Sequence, residues 1–389
     1  MKKYSKNIPD GTSDIIFDKA LYIKKAVDGF RKIYEELGYR EIITPTIEYY
    51  DVFDFTCQPI VQEMMYKFSD NNGRLLVLRP DGTTPISRVV STKLREEEKP
   101  IKIFYNQNVF RINTDYSGKK NEQSQSGIEI IGVDGLKADI LYIETALQVL
   151  KSTGLNFKLE IGHMGFYKAI VDSLNLSDKD KETIRLYIES KNTNEIRLDV
   201  VDVENSPEKI YDIIRIIPQL FGSYEVIDKA RILAGGNEEA LAALDYLYKL
   251  YNVFDKAGYS ENIIIDLGIV HEIDYYTGCV ISGYVEGIGE NVLSGGRYNN
   301  LIANFGIDLP ATGFAVNVNL IAKALENAGM ICETPKADEI IHYSVNNYCA
   351  VIKYIKNNKD KKIEISCFDE LSDTMAYAKK NGIDKIVEI

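Results

Sequence analysis

Strand-like segments run through the first part of the chain as far as Phe157–Ile161, stop, and resume at Ile263-Ile264-Ile265-Asp266-Leu267. Between them, from Ser177 to about Phe254, the apolar spacing is helical, with Leu241, Leu244, Tyr248 and Tyr251 as its clearest stretch. That interruption constrains the fold more than any other feature. It reads as an all-helical insertion, at about residues 175–258, in a domain whose strands lie on both sides of it.

Ahead of the interruption, Ile23, Val27, Phe30, Tyr34 and Leu37 mark a helix over Leu21–Leu37, and Gly38 is its natural stop. Strands are expected at Ile42–Thr46, Arg74–Leu78, Ile101–Tyr105 and Ile128–Gly132. Pro45 cannot donate to a ladder, so its strand belongs at an edge or an interface. A helix over Asp139–Ser152 presents Ile140, Ile143, Leu147 and Leu150 on one face. After Gly329 the texture shifts again. Strand-like Glu339–Tyr343, Lys362–Cys367 and Lys385–Ile389 alternate with helical Tyr348–Ile355 and Leu371–Lys380. The expected division is a large domain over 1–329 and a small C-terminal α/β domain over 330–389.

With 389 residues the chain can bury a large core, and 45% hydrophobic with 27% charged residues is ordinary for a globular protein. No apolar run approaches the roughly 20 residues a membrane span needs. The start, Met1-Lys2-Lys3-Tyr4-Ser5-Lys6, is basic but no apolar signal segment follows it, so a cytoplasmic protein is expected. Its five cysteines are scattered and it has only three histidines, which argues against a metal site; no cofactor is expected. Reduced, mostly buried thiols are the simpler reading. A net charge of −12 lowers the expectation of a nucleic-acid partner without excluding a local basic patch.

Five short segments carry the candidate chemistry: Leu78-Arg79-Pro80-Asp81-Gly82-Thr83-Thr84, Asn108-Val109-Phe110-Arg111, Gln125-Ser126-Gly127-Ile128-Glu129, Ile273-Asp274-Tyr275-Tyr276-Thr277-Gly278 and Ser294-Gly295-Gly296-Arg297-Tyr298. In this order they resemble the substrate-binding motifs of class II histidyl-tRNA synthetases, over a stretch from near the N-terminus to about residue 325. The resemblance implies an α+β fold. Its elements would be a six-stranded, mostly antiparallel sheet flanked by helices, a helical insertion and a small C-terminal α/β domain. It also implies an amino-acid pocket. Asp81, Thr83 and Gln125 would take the ammonium, and Arg111 the carboxylate through a two-pronged contact. Glu129 and Tyr276 would hold the two imidazole nitrogens, between walls formed by Tyr275 and Tyr298.

Where that family grips ATP, this chain departs from it. Asn113 stands where an acid would hold the adenine amino group, and Gln123 where an aromatic would stack on the base. His271 stands where an arginine would act on the activated carboxylate. In Phe314-Ala315-Val316-Asn317-Val318-Asn319-Leu320, Leu320 takes the place of the arginine that would lie on the phosphates. Adenylyl chemistry depends on fixed positive charge against developing negative charge. Keeping the amino-acid half and losing the nucleotide half resembles the synthetase-like regulatory subunits of ATP phosphoribosyltransferase. That resemblance implies a non-catalytic subunit needed by a short catalytic subunit, with L-histidine as feedback effector and no tRNA or membrane partner. It further implies a homodimer, through the first helix and the Pro45 strand, inside a hetero-oligomer expected to be an octamer.

Plainer readings stand beside these. Glu129 could be a structural carboxylate paired to an arginine, and Arg111 a surface ion pair. On a strand, Tyr275 and Tyr276 would point to opposite faces. Gly295-Gly296 could be a hairpin turn as well as a pocket edge. His271 fits a structural or exposed residue better than a base, and Arg95–Lys99 fits a solvated loop. Two rival functions remain: an active histidyl-tRNA synthetase, and a stand-alone histidine-binding paralogue without a biosynthetic partner.

Overall fold

The computed structural model describes residues 6–55, 60, 62–113, 120–174, 176–189, 215–270, 275–330 and 334–389. Its central sheet follows the order β1 (Arg40–Glu41), β5 (Ile101–Phe110), β6 (Glu122–Ile131), β12 (Ala311–Asn317), β11 (Leu293–Arg297), β10 (Cys279–Val285), β7 (Phe157–His163), β9 (Ile263–Asp266) and β8 (Phe221–Gly222). From β5 through β7 the strands are antiparallel throughout, which is the six-stranded core the resemblance implies. The sheet is wider than that core. β1 joins β5 in parallel, β9 joins β7 in parallel, and β8 closes the far edge antiparallel to β9.

β8 corrects the reading of an all-helical insertion. Phe221 and Gly222 pair with Asp266 and Ile265, and the Leu267 N–H donates to the Leu220 carbonyl at 3.0 Å. An open edge presents unpaired backbone groups, and a short extended segment of the insertion satisfies part of that row. Two residues leave no period-two signature in a sequence. The rest of the described insertion is largely helical, over Asp178–Glu189, Glu225–Ala234 and Glu238–Lys256, the last capped by the Asn237 side chain accepting from the Ala240 N–H.

Alternation along the strands separates two faces. Phe104, Ile128, Ile130, Phe314 and Val316 face the helices Asp18–Glu36 and Leu136–Ser152. There Phe30 and Tyr34 are buried, and the Tyr34 ring meets Phe104 and Phe314 at centroid distances of 5.4 and 6.4 Å. Ile101, Ile103, Tyr105 and Ile131 face the other way, against Ile86 and Val90 of the helix Thr83–Thr92 and against Tyr298 and Leu301.

A second sheet, ordered β2 (Ile47–Tyr49), β4 (Leu75–Leu78), β3 (Lys67–Ser69), is antiparallel. The strand expected over Ile42–Thr46 is not formed; those residues link β1 to β2. Pro45 offers no N–H to a ladder. The carbonyls of Thr44 and Pro45 instead accept from the Arg79 guanidinium at 2.7 and 3.2 Å.

The chain divides into Met1–Ile331 and Cys332–Ile389. Taken by itself, the second unit is a parallel sheet, β14 (Ile363–Ile365), β13 (Glu339–His342), β15 (Ile386–Glu388), with helices Tyr348–Asn357 and Leu371–Asn381. Its small core contains Ile340, Ala378 and Ile383.

Because Phe314 fills the space between the sheet and Tyr34, Phe314→Ala is expected to lower unfolding free energy by about 3–5 kcal/mol. Denaturant titration checks it, and a loss below about 1 kcal/mol would show that the face is not packed around this ring.

Candidate functional site

A carboxylate set in an apolar strand is costly unless donors reach it. Glu129 lies between Ile128 and Ile130 in β6, and alternation turns it away from the helix-packed core. It is only 1% exposed. The Thr83 hydroxyl, at the start of the helix Thr83–Thr92, donates to Oε1 at 2.7 Å. The Tyr298 hydroxyl, just past β11, donates to Oε2. Burial pushes the Glu129 carboxyl up from 4.5 to about 8, against the lowering effect of these two hydrogen bonds.

Three glycines make room for this arrangement. Gly313 of β12 sits directly across from Glu129, and any side chain there would collide with the carboxylate and with the Ile128 carbonyl. Gly127 leaves space for the Tyr105 ring, its register partner in β5. Gly295 lies so close to Gly313 and Phe314 that a β-carbon would not fit. It is mid-strand in β11, so the hairpin-turn reading of Gly295-Gly296 does not hold.

All eight sequence-derived candidates, Asp81, Thr83, Arg111, Gln125, Glu129, Tyr275, Tyr276 and Tyr298, line one cavity of about 130 Å³. Gln125 shares the Glu129 face of β6, opposite Gln107 and Asn317. Arg111 follows β5, and its Nε donates to the Pro80 carbonyl at 2.7 Å. Burial lowers the pKa of the Arg111 guanidinium, opposed by the nearby Asp81 carboxylate. Burial raises the Asp81 carboxyl, opposed mainly by the Thr84 N–H. Thr84 engages both Asp81 oxygens, through its N–H at 2.7 Å and its hydroxyl at 3.0 Å. Asp81 is thus tied to the start of a helix as well as to the cavity, and a carboxylate has further lone pairs to offer.

The two tyrosines before β10 do not diverge as strand neighbours would. Tyr275 and Tyr276 precede the strand, and both line the cavity. Tyr275 stacks on Tyr298 at 5.8 Å and 6°, while Tyr276 meets Tyr275 edge-on at 4.6 Å. Tyr105 was missed by sequence reasoning. It is buried in the cavity wall beside Glu129 and Asp81, and burial raises its phenol well above the usual range. Its parity with Ile103 was the available signal; its pairing with Gly127 exists only in the folded sheet.

The arrangement offers a guanidinium, two carboxyl groups, an amide and an aromatic wall within a space below the roughly 300–1,000 Å³ usual for drug-sized ligands. It suits a small zwitterion. Among the described residues no cluster of His, Cys, Asp or Glu could hold a metal.

The positions that depart from nucleotide binding lie elsewhere. Gln123 and Leu320 line a separate open groove of about 530 Å³ beside the helices Asp18–Glu36 and Val318–Asn327. The Asn113 amide donates to the Lys120 carbonyl and to Asn121 Oδ1, holding the end of the β5–β6 hairpin. His271 lies outside the described residues.

The sequence profile of histidyl-tRNA synthetase matches residues 11–321. An ATP phosphoribosyltransferase regulatory subunit of Clostridium botulinum strain Langeland is 42% identical over 392 residues, covering 100% of this chain and 92% of that protein. One from Clostridium novyi is 43% identical, covering 100% and 93%. The solved ATP phosphoribosyltransferase regulatory subunit/histidyl-tRNA synthetase from Bacillus halodurans C superposes with a TM-score of 0.89 at 28% identity, over 100% of this chain and 99% of that one. A histidyl-tRNA synthetase from Nostoc sp. PCC 7120 shares the fold, with a TM-score of 0.79 at 21% identity over 98% and 90%. The chain belongs to the family of ATP phosphoribosyltransferase regulatory subunits, built on the class II histidyl-tRNA synthetase fold.

Proposed function

We propose that this chain is a non-catalytic regulatory subunit that binds L-histidine in the Glu129 cavity and transmits its presence to a short-form ATP phosphoribosyltransferase catalytic subunit. The observation that carries this reading is the buried set around Glu129. A buried carboxyl with two protein donors, a guanidinium and stacked tyrosines suits an imidazole-bearing zwitterion. In this reading Glu129 and Tyr276 take the ring nitrogens, with Tyr275 and Tyr298 as walls. Asp81, Thr83 and Gln125 take the ammonium, and Arg111 the carboxylate.

The mechanism is linkage. Histidine binds one conformation of the subunit better, and that difference biases the partner's active state; the partner changes histidine affinity by the same factor. Aminoacylation is not part of this function. Leu320 and Gln123 supply neither a phosphate clamp nor an adenine platform, and the Asn113 amide is engaged within the β5–β6 hairpin. Among the described residues no helix is long and apolar enough to cross a membrane, which suits a partner in the cytoplasm.

Self-association belongs to the same reading. Ile43, 81% exposed, leads into β2, whose Ile47 and Tyr49 are also exposed. Register places Phe68 and Leu76 on the same side of that sheet as Tyr49. A second copy covering this apolar face gives a homodimer, and dimers with catalytic subunits give the octamer.

Calorimetric titration with histidine should give heat, and Glu129→Ala should weaken binding by about 1.5–3 kcal/mol, the scale of a hydrogen bond to a charged group. Unchanged affinity would put the imidazole elsewhere. Tight ATP binding, or ATP–pyrophosphate exchange driven by histidine, would restore the synthetase reading. A chain that stays a lone dimer beside the short catalytic subunit would favour a stand-alone histidine binder.

The raised Glu129 pKa fixes the sign of a pH effect. Between about pH 4.5 and about pH 8 the ligand-free folded state holds a proton that the unfolded state releases. Its contribution to stability is therefore full below the lower value and lost as pH rises through the upper one. Glu129→Gln cannot ionise, so its melting temperature should fall less than the parent's across that interval. Parallel profiles would contradict it.

Ile43→Asp combined with Ile47→Asp should convert the dimer to monomer in sedimentation velocity; a double variant that still sediments as the parent removes this face from the interface.

A further inference from the structure

Tyr298 and Arg297 are neighbours in the chain, and they point to opposite sides of the sheet. Tyr298 enters the cavity, and Arg297 is buried beneath it among helices. Arg297 Nη2 meets Asp139 Oδ1 at 2.5 Å, its Nε meets Asp139 Oδ2 at 3.3 Å, and its Nη1 reaches Asp134 at 2.9 Å. Asp139 lies in the first turn of the helix Leu136–Ser152 and is 1% exposed. Its Oδ2 also accepts from the Tyr246 hydroxyl at 2.7 Å. Tyr246 belongs to Glu238–Lys256, the long helix of the inserted segment.

The backbone of Arg297 is tied to the other side of the cavity wall. Its carbonyl accepts from the Thr277 N–H at 2.7 Å and from the Thr277 hydroxyl at 3.4 Å. Thr277 directly follows Tyr275-Tyr276, and its hydroxyl accepts in turn from the Asn299 N–H at 3.1 Å. Gly278 rests on the Arg297 stem, where an added β-carbon would lie 3.0 Å from Cδ. One residue thus stands between three of the cavity tyrosines, Tyr275, Tyr276 and Tyr298, and the helix of the insertion.

We propose that the buried Arg297–Asp139 ion pair, closed by Tyr246, positions the tyrosine wall of the cavity and couples it to the helix Glu238–Lys256. None of the three lines the cavity, so Arg297, Asp139 and Tyr246 are positioning residues. Two desolvated charges hold each other in narrow geometry, and loss of one hydrogen bond from the set is felt by both partners. Any ligand that tightens Tyr275, Tyr276 and Tyr298 is then linked to the placement of that helix, and movement of the helix alters the ligand's affinity by the same factor. The coupling rests on reading the cavity as the histidine site; the positioning does not.

The full chain, its Tyr246→Phe and Asp139→Asn variants, and a control Ile184→Ala are to be compared. The control removes a fully buried side chain from a different helix, Asp178–Glu189. Histidine affinity is measured by calorimetry, stability by thermal melting, and exchange of the Thr277 amide by hydrogen–deuterium exchange without ligand. Tyr246→Phe should weaken histidine binding about 3- to 10-fold, the scale of one hydrogen bond, and Asp139→Asn at least as much. Both should speed Thr277 exchange. Ile184→Ala should lower the melting temperature yet leave affinity and Thr277 exchange at parent values. Affinity within about twofold of the parent in both variants, with unchanged Thr277 exchange, overturns the proposal. A control that weakens binding in step with its lost stability also overturns it, by reducing the effect to general destabilisation. If the parent takes up no histidine, the site reading fails, while the positioning role is still decided by Thr277 exchange, which must rise in Tyr246→Phe.

Discussion

Period-two alternation in one strand governs this structure. β6 must pack Ile128 and Ile130 against helices, so the residue between them is forced to the other face. That residue is a glutamate, and a buried carboxylate without donors would be unaffordable. The remaining features of the cavity answer that constraint. Thr83 and Tyr298 supply hydroxyls from segments far away in the chain, and Gly313 supplies the absence of a side chain across the ladder. The stacked Tyr275 and Tyr298 wall the site, and burial raises the Glu129 pKa against the lowering effect of the Tyr298 hydroxyl.

The same alternation on β11 gives the site a back as well as a front. Tyr298 faces the cavity while Arg297 faces the helices, where Asp139 neutralises it. Burial pushes the Asp139 carboxyl up, and the Arg297 guanidinium opposes that shift. A cation and an anion thus lie paired beneath the cavity. Among the described residues the insertion meets this arrangement through the Tyr246 phenol, and it also meets the sheet through the short β8 strand. Its helix Glu238–Lys256 also packs into the domain's main core through Ala240, Leu244 and Leu247.

Much of the site could be read from the chain because its residues come as short runs whose order is informative. Asp81 with Thr83, Gln125 with Glu129, and Tyr275 with Tyr276 each sit within a few positions of one another, and all converge on one cavity. Residues outside such runs escaped notice. Tyr105 enters the wall by cross-strand register with Gly127, a relation between segments and not within one. For Gly295-Gly296 the chain left a hairpin turn and a pocket edge both open. In this sheet they are flat strand residues, chosen because neighbouring backbones approach too closely for a β-carbon. Ile42–Thr46 had strand composition, but Arg79 captures its carbonyls before a ladder can.

By itself the sequence determined the period of each long element, the break made by the insertion, the separate C-terminal α/β unit and the chemical types gathered at the site. Those depend on local spacing and side-chain identity, which a chain displays directly. Only the tertiary structure decided the width of the sheet, the partners of Arg297, and the use of Asp81 both as a helix-start acceptor and as a cavity group. Each of these is set by which distant strand lies alongside and by how much water is excluded there, and neither quantity is encoded at any one position.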